Sequence, residues 1–342
     1  MSSLCQTSWT KLLSVSDSST AETALEQAGF AHPARTLTNL QLLAKLWPDQ
    51  QTADALIAAS LQTADPDLAL NNLERLTETV AAADLLQELN RPLRCEQLLT
   101  ILGGSPFLTS ILLRKPGYFD RLFKSSELDQ QRDHAVMLAD LRETIVSDAD
   151  FDSLQAGLRR FKAREILRIG GRDLCGLADL VETTAELSAL AATTLQRAYE
   201  VCDRLVRLEY GAPLLATKPG EPCAEAEVTI LGMGKFGGCE LNFSSDIDLI
   251  YFYSSDQGQT AGVPGPQGAV SNQTTLHRYF VRLGEMVSKA INQPTDDGFV
   301  FRVDLRLRPE GNSGEMANSL AAAETYYESW GQSWERSAML KA

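Results

Sequence analysis

Residues Leu231 to Ile250 read LGMGKFGGCELNFSSDIDLI. Gly232, Gly234 and Gly237 follow the short apolar run Val228–Leu231, and Asp256 lies about 20 residues further on. This is the spacing of a dinucleotide-binding fingerprint. That fold needs a helix of roughly ten or more residues between the glycines and the next strand. Only Gly238 to Ser245 is available, and this stretch is rich in turn formers, so a βαβ crossover does not fit. The stretch therefore reads as a strand, a glycine turn and a second strand over Asp246–Tyr253. In a strand, residues two apart share a face, so Asp246 and Asp248 project side by side with Cα atoms about 7 Å apart. Two carboxylates that close are unfavourable unless a cation sits between them or one takes a proton. Magnesium prefers carboxylate oxygens together with substrate phosphates. The Ser244-Ser245 turn offers hydroxyls, and the turn around Gly232, Gly234 and Lys235 offers open amides, to phosphate oxygens. A solvated strand with two exposed Asp is the alternative, but Ile247, Leu249 and Ile250 make it a mostly buried strand.

Working outward, Phe299–Leu307 alternates with period two. Phe299, Phe301, Val303, Leu305 and Leu307 form one face; Arg302, Asp304, Arg306 and Arg308 form the other. Read alone, the polar face is a salt-bridged strand surface. Beside Asp246 and Asp248, Asp304 becomes the third carboxylate of a site for two magnesium ions, and the arginines hold phosphate oxygens or offset the carboxylates. Thr274–Ile291 reads as the helix between. Asp296-Asp297-Gly298 reads as a turn rather than a ligand pair. His32, His134 and His277 are far apart in sequence and suggest no catalytic set.

Upstream, apolar residues recur at three- and four-residue spacing in Thr36–Leu46, Leu68–Glu88, Cys95–Leu102, Arg132–Ile145, Phe151–Ile169 and Asp179–Leu208, which predicts helices. Pro48, Pro66 and Pro92 interrupt them, and Gly103-Gly104-Ser105-Pro106 combines a helix stop with an N-cap. Gly211–Ala226, with Pro213, Pro219 and Pro222, reads as a linker, and Gln257–Gln273 as a mobile surface loop without core-forming residues. Ser319–Lys341 reads as one helix, with Trp330 and Trp334 on its core face. That pattern continues to Ala342 with no cap or breaker, and the chain is expected to be a fragment of a longer protein. The resulting class is α+β: a helical region over 1–225, a catalytic core over 226–315, and the start of a further helical region over 316–342.

Lys plus Arg number 31 against 45 Asp plus Glu, a net charge of −14 among 342 residues. That balance argues against general nucleic-acid binding, which needs a basic surface. No run of 18 apolar residues exists, and Met1–Ser19 lacks a signal-peptide core, so no membrane association is expected. Six scattered Cys with no Cys-x-x-Cys point to small buried residues in a reducing cytoplasm.

Three segments carry a resemblance: GMGKFGGCELNFSSDIDLIYFY, DDGFVFRVDLRLRPEGNSG and YYESWGQSWERSAMLKA. They resemble the glutamine synthetase adenylyltransferase/adenylyl-removing enzyme family, and CEQLLTILGGSPFLTSILLRKPGYFDRLF and the helical stretch from Ser153 to Leu190 are also similar. The resemblance covers roughly residues 90–342. It implies a nucleotidyltransferase domain of the DNA polymerase β type with a short mixed sheet, and Asp246, Asp248 and Asp304 as metal carboxylates. DGFVFRVDLRLRP with WGQSWERSAM is more similar to the N-terminal, adenylyl-removing copy, and two hundred helical residues precede the motif. The resemblance thus implies phosphorolysis of adenylyl-tyrosine, with phosphate consumed and ADP formed. Arg306 or Arg308 would bind the attacking phosphate, and adenylylated glutamine synthetase and the PII signal protein would be partners. The ATP-dependent adenylyltransferase copy and a non-catalytic nucleotide-sensing module remain as alternatives. Two departures stand out: Lys235 follows Gly234 where a serine is common, and Glu310 occupies a position where relatives often carry a bulky apolar or a small residue.

Overall fold

Proline and capping side chains divide the first part of the chain into short helices. A computed structural model describes residues 18–47, 50–216 and 224–342. The expectations for Met1 to Asp17, Pro48, Pro219, Pro222 and Cys223 fall outside these residues. The chain forms two compact units, residues 1–130 with 164–180, and residues 131–163 with 181–342. This division does not coincide with a boundary at 225/226.

The first unit is helical: α1 (Ser18–Ala28), α2 (Pro33–Leu46), α3 (Gln50–Ser60), α4 (Pro66–Leu76), α5 (Ala82–Leu89), α6 (Pro92–Gly104) and α7 (Pro106–Arg114). Three of these start with Pro after a capping side chain or extended residue. Asp65 accepts from the Leu68 amide and Ser105 from the Leu108 amide, where proline costs no hydrogen bond. The single helix expected over Leu68–Glu88 is two, α4 and α5, because residues 77–80 turn back on the end of α4 through their own amides. Leu70, Leu73, Leu98 and Leu102 are fully buried at the centre.

The second unit contains α8 (His134–Thr144), the first half of α9 (Phe151–Leu174), α10 (Leu180–Tyr210), and the sheet. Its strands are β1 (Pro213–Leu215), β2 (Val228–Met233), β3 (Ile247–Tyr253), β4 (Gly258–Thr260), β5 (Val263–Pro264), β6 (Val270–Ser271), β7 (Val303–Asp304) and β8 (Ala317–Ser319). Between them lie α11 (Gly234–Gly237) and α12 (Leu276–Asn292), and α13 (Leu320–Ser329) and α14 (Ser333–Ala338) follow. The fold is α+β, as the sequence indicates. β3 is the central strand: β2 pairs with it antiparallel, while β7 and β8 share its other edge in parallel. Only four residues of helix lie between β2 and the antiparallel β3, so the glycines serve no dinucleotide crossover. Asp256, which completes that fingerprint in sequence, instead accepts from the Tyr253 and Ser319 hydroxyls and ties β3 to β8.

Every residue of β3 except Asp248 is buried. On one face, Tyr251 and Tyr253 meet α12: Tyr253 stacks on Phe280 with centroids 4.8 Å apart, and its hydroxyl lies 3.0 Å from His277 Nδ1. On the other face, Met233, Ile250 and Phe252 pack with Ala323, Leu307, Tyr327 and Met339. Burying each such side chain stabilises by about 1.5–3 kcal/mol.

Five expectations are corrected. The strand Phe299–Leu307 shortens to Val303–Asp304, because β8 takes the edge of β3 from Tyr251 to Tyr253 and the chain must turn away before it. Pro213–Leu215, within the expected linker, pairs with Gly258–Thr260, and the expected loop over Gln257–Gln273 contains β4 and the β5–β6 hairpin. The C-terminal helix breaks at Gly331, where a Cβ would meet the Tyr327 Cα at 2.9 Å and where Gln332 and Glu335 begin a new capping box. Trp330 and Trp334 are consequently not core residues but 75% and 58% exposed. Of the described cysteines, Cys95 and Cys202 are buried as expected, Cys175 is half-buried and Cys239 exposed, and none is paired.

Candidate active site

Parallel pairing of β3 with β7 sets Asp248 directly opposite Asp304. Asp304 is the last residue of β7, and Asp248 is the one residue of β3 that is not buried. Burial, then the Asp304 and Asp246 charges, push the Asp248 carboxyl above its ordinary value, against a smaller pull from Arg306. Asp304 is held below the ordinary value by the Arg306 guanidinium, whose Nε lies 2.8 Å from Oδ2; the Arg306 amide also donates to Oδ1 at 2.9 Å. Asp246, one residue before β3, accepts from Arg302 Nε, and Arg302 Nη2 donates to the Ser244 carbonyl at 2.8 Å. Ser244 is exposed in the turn, and Ser245 bonds back to Asn242.

Gly234 closes the other side. Its φ is +58°, and a Cβ there would stand 3.0 Å from Asp248 Oδ2. The backbone conformation calls for glycine, and a Cβ would in addition press the Asp248 carboxylate back by a few tenths of an ångström. Gly234→Ala is expected to cost about 1–2 kcal/mol in stability and to displace Asp248, with at least a tenfold fall in turnover. A denaturation midpoint and turnover at wild-type level would show that the close approach is not needed. Gly232, expected in the turn, lies instead within β2 opposite Leu249, because the strand runs on to Met233, and Lys235 is exposed on α11.

The structure therefore gathers Asp246, Asp248, Asp304, Gly234 and Arg306. Arg308 is turned into the following loop, where it donates to the Leu305 and Gly314 carbonyls at 3.0 and 3.1 Å. In that loop Glu310 has a φ of +61°, in the left-handed region immediately before Gly311, and nothing in the structure calls for a glutamate there. The sequence places Arg302 on the polar face with Arg306 and Arg308 but gives it no separate role. The signal was present in its alternation with Asp304, but its pairing with Asp246 needs the β3–β7 register. The carboxylates are hard oxygen donors crowded at one sheet end, which suits a divalent cation of the magnesium type. Among the described residues, no three acidic, His or Cys side chains already converge as a ligand set; here guanidiniums occupy Asp246 and Asp304.

The glutamate-ammonia ligase adenylyltransferase family model matches residues 95–342. The chain belongs to this family. It is 39% identical over 247 residues to the bifunctional glutamine synthetase adenylyltransferase/adenylyl-removing enzyme of Shewanella oneidensis, covering 72% of this chain and 24% of that protein. It is 40% identical over 249 residues to the enzyme of the same name from Pseudomonas aeruginosa, covering 73% and 24%. The chain thus spans about a quarter of the length of these relatives. All three carboxylates and both paired arginines of this adenylyltransferase-family chain fall inside the matched region. Among the described residues, no single helix is long and apolar enough to cross a membrane.

Proposed function

We propose that the second unit is a nucleotidyltransferase that removes AMP from adenylylated glutamine synthetase by phosphorolysis. The observation that carries this reading is the opposed pair Asp248 and Asp304, with Asp246 beside them, at an open sheet end within the family-matched stretch. The names of the relatives carry both adenylyl transfer and adenylyl removal. The removing direction is favoured by the similarity of DGFVFRVDLRLRP and WGQSWERSAM to the adenylyl-removing copy, and by an exposed guanidinium at the site that suits inorganic phosphate.

In the reaction, a phosphate oxygen forms a bond to the α-phosphorus of adenylyl-tyrosine. The bond from phosphorus to the tyrosine oxygen breaks, its electron pair leaves with the phenolate, and a proton restores the tyrosine as ADP departs. A phenol of pKa about 10 is a tolerable leaving group when its developing charge is stabilised. Magnesium bound by Asp246, Asp248 and Asp304 would supply charge neutralisation. The turn at Gly234 keeps the α-phosphate close to Asp248, the Ser244-Ser245 turn offers donors to phosphate oxygens, and Arg306 holds the attacking phosphate in its planar fork. Positioning and charge neutralisation suffice, without a covalent intermediate. PII-type signal proteins would bias this activity, in a cytoplasmic setting.

The test is incubation of adenylylated glutamine synthetase with this protein, phosphate and magnesium. ADP release is expected; AMP transfer from ATP would reverse the assigned direction, and neither reaction would favour a nucleotide-sensing role. Arg306→Lys is expected to raise the KM for phosphate roughly three- to tenfold with a smaller effect on the adenylylated substrate. Arg308→Lys, which loses contacts to loop carbonyls, is expected to leave phosphate dependence near the parent's. Unchanged phosphate dependence in Arg306→Lys would remove Arg306 from the anion site.

A further inference from the structure

Two guanidiniums stand where the charge of a divalent ion is needed. Arg306 forks onto Asp304, and its charge also acts on Asp248 and Asp246. Arg302 forks between Asp246 and the Ser244 carbonyl. The three carboxylates and the two arginines paired with them carry −3 and +2, a net −1 for this set, and the Arg308 charge also acts on Asp304. Adding two divalent ions without moving anything else would make it −1 + 4 = +3. A site of that charge, open to solvent, calls for anions.

The two arginines are not equivalent. The Arg306 side chain is 72% exposed, and Asp304 keeps the Arg306 backbone amide as a donor even if the guanidinium leaves. Its guanidinium is therefore free to depart without orphaning the carboxylate. Arg302 is additionally tied to a backbone carbonyl of the serine turn.

We propose that Arg306 is an exchangeable counter-cation: it neutralises Asp304 in the metal-free protein, and metal binding transfers it to phosphate, so that divalent-cation and phosphate binding tighten each other. This rests on the metal-site reading above and adds a coupling to it. Competition with Arg306 lowers intrinsic metal affinity. Phosphate relieves that competition by taking the guanidinium. By linkage, the factor by which phosphate tightens the metal equals the factor by which the metal tightens phosphate. An exposed guanidinium can do this because its pairing is weak enough to break, as exposed ion pairs are.

Manganese binding, followed by loss of the free-ion electron paramagnetic resonance signal, tests the proposal without turnover. Titrations are run with and without inorganic phosphate, with manganese–phosphate pairing in buffer subtracted. In the parent protein, phosphate is expected to tighten manganese roughly fivefold or more. Arg306→Gln is expected to bind manganese roughly three- to tenfold more tightly without phosphate, and to lose most of the phosphate effect. Arg306→Lys should keep the parent's affinity without phosphate but show a reduced phosphate effect, because charge remains and the fork does not. Arg302→Gln should tighten manganese yet keep the phosphate effect. Equal or weaker manganese binding by Arg306→Gln, or an undiminished phosphate effect, overturns the exchange and leaves the metal-site reading standing. Absence of saturable manganese binding in the parent protein and all variants overturns the metal-site reading itself, and the exchange with it.

Discussion

Asp248→Asn is expected to abolish phosphorolysis while making the metal-free protein slightly more stable at neutral pH. Asp248 is the carboxylate with two like charges as neighbours, and its surroundings push its pKa up. Loss of a group that stabilises transition-state charge costs on the order of 10²–10³-fold in turnover, and a metal ligand at least as much. The stability effect has the opposite sign. Because the folded-state pKa is raised, the contribution of Asp248 is fully present below the unfolded carboxyl pKa and is lost as pH rises through the folded value. Its ionised form is therefore a net cost at pH 7, less than about 1 kcal/mol after screening of a half-buried group. Melts of parent and variant should converge as pH falls below the ordinary carboxylate range and separate above it, the variant melting higher. Asp304 behaves in reverse. Its pKa is held down by Arg306, so its contribution is present above the unfolded pKa and fades in acid. Added magnesium should raise the melting temperature of the parent but not of Asp248→Asn. Retained turnover, or an equal magnesium response in the variant, would remove Asp248 from the site.

Arg159→Met is expected to give the largest loss of stability in the second unit and to weaken the site from a distance. Arg159 is 2% exposed on α9. Its guanidinium donates to four carbonyls: Gln155 and Gly298 at 2.8 Å, Ala290 at 3.4 Å, and Gln293. Three of these belong to the end of α12 and the turn that leads to β7. Burial pulls the guanidinium below its ordinary pKa, with Asp297 offsetting part of that cost. Methionine fills similar space but leaves the carbonyls without their donor, at about 2–4 kcal/mol in total. The urea midpoint should fall accordingly, and hydrogen exchange at Val303 and Asp304 should accelerate, because the turn no longer sets the β3–β7 register. Lys offers a compact charge that cannot span all four acceptors, and should recover less than half of the loss. An unchanged midpoint in Arg159→Met would show that the turn holds itself.

The sequence by itself determined the central strand, the glycine turn before it and the α12 helix, and it offered the three carboxylates as candidates that only the β3–β7 pairing brings together. Each is a local matter: a buried strand needs an unbroken apolar run, an amphipathic helix needs a 3.6-residue period, and eight residues rich in turn formers cannot make a crossover helix. The capped start at Pro106 was legible on the same grounds. Only the tertiary structure decided what the residues after Asp304 do. Period-two alternation continues to Leu307, but a strand exists only while it has an edge to pair with, and β8 claims that edge from Tyr251 onward. Arg306 and Arg308 look equivalent in sequence, yet the turn leaves one beside Asp304 and directs the other to loop carbonyls. Trp330 and Trp334 share a face only if the helix continues, and the break at Gly331 ends it. The pairing of Arg302 with Asp246 spans 56 residues and depends on strand register, which no local pattern encodes.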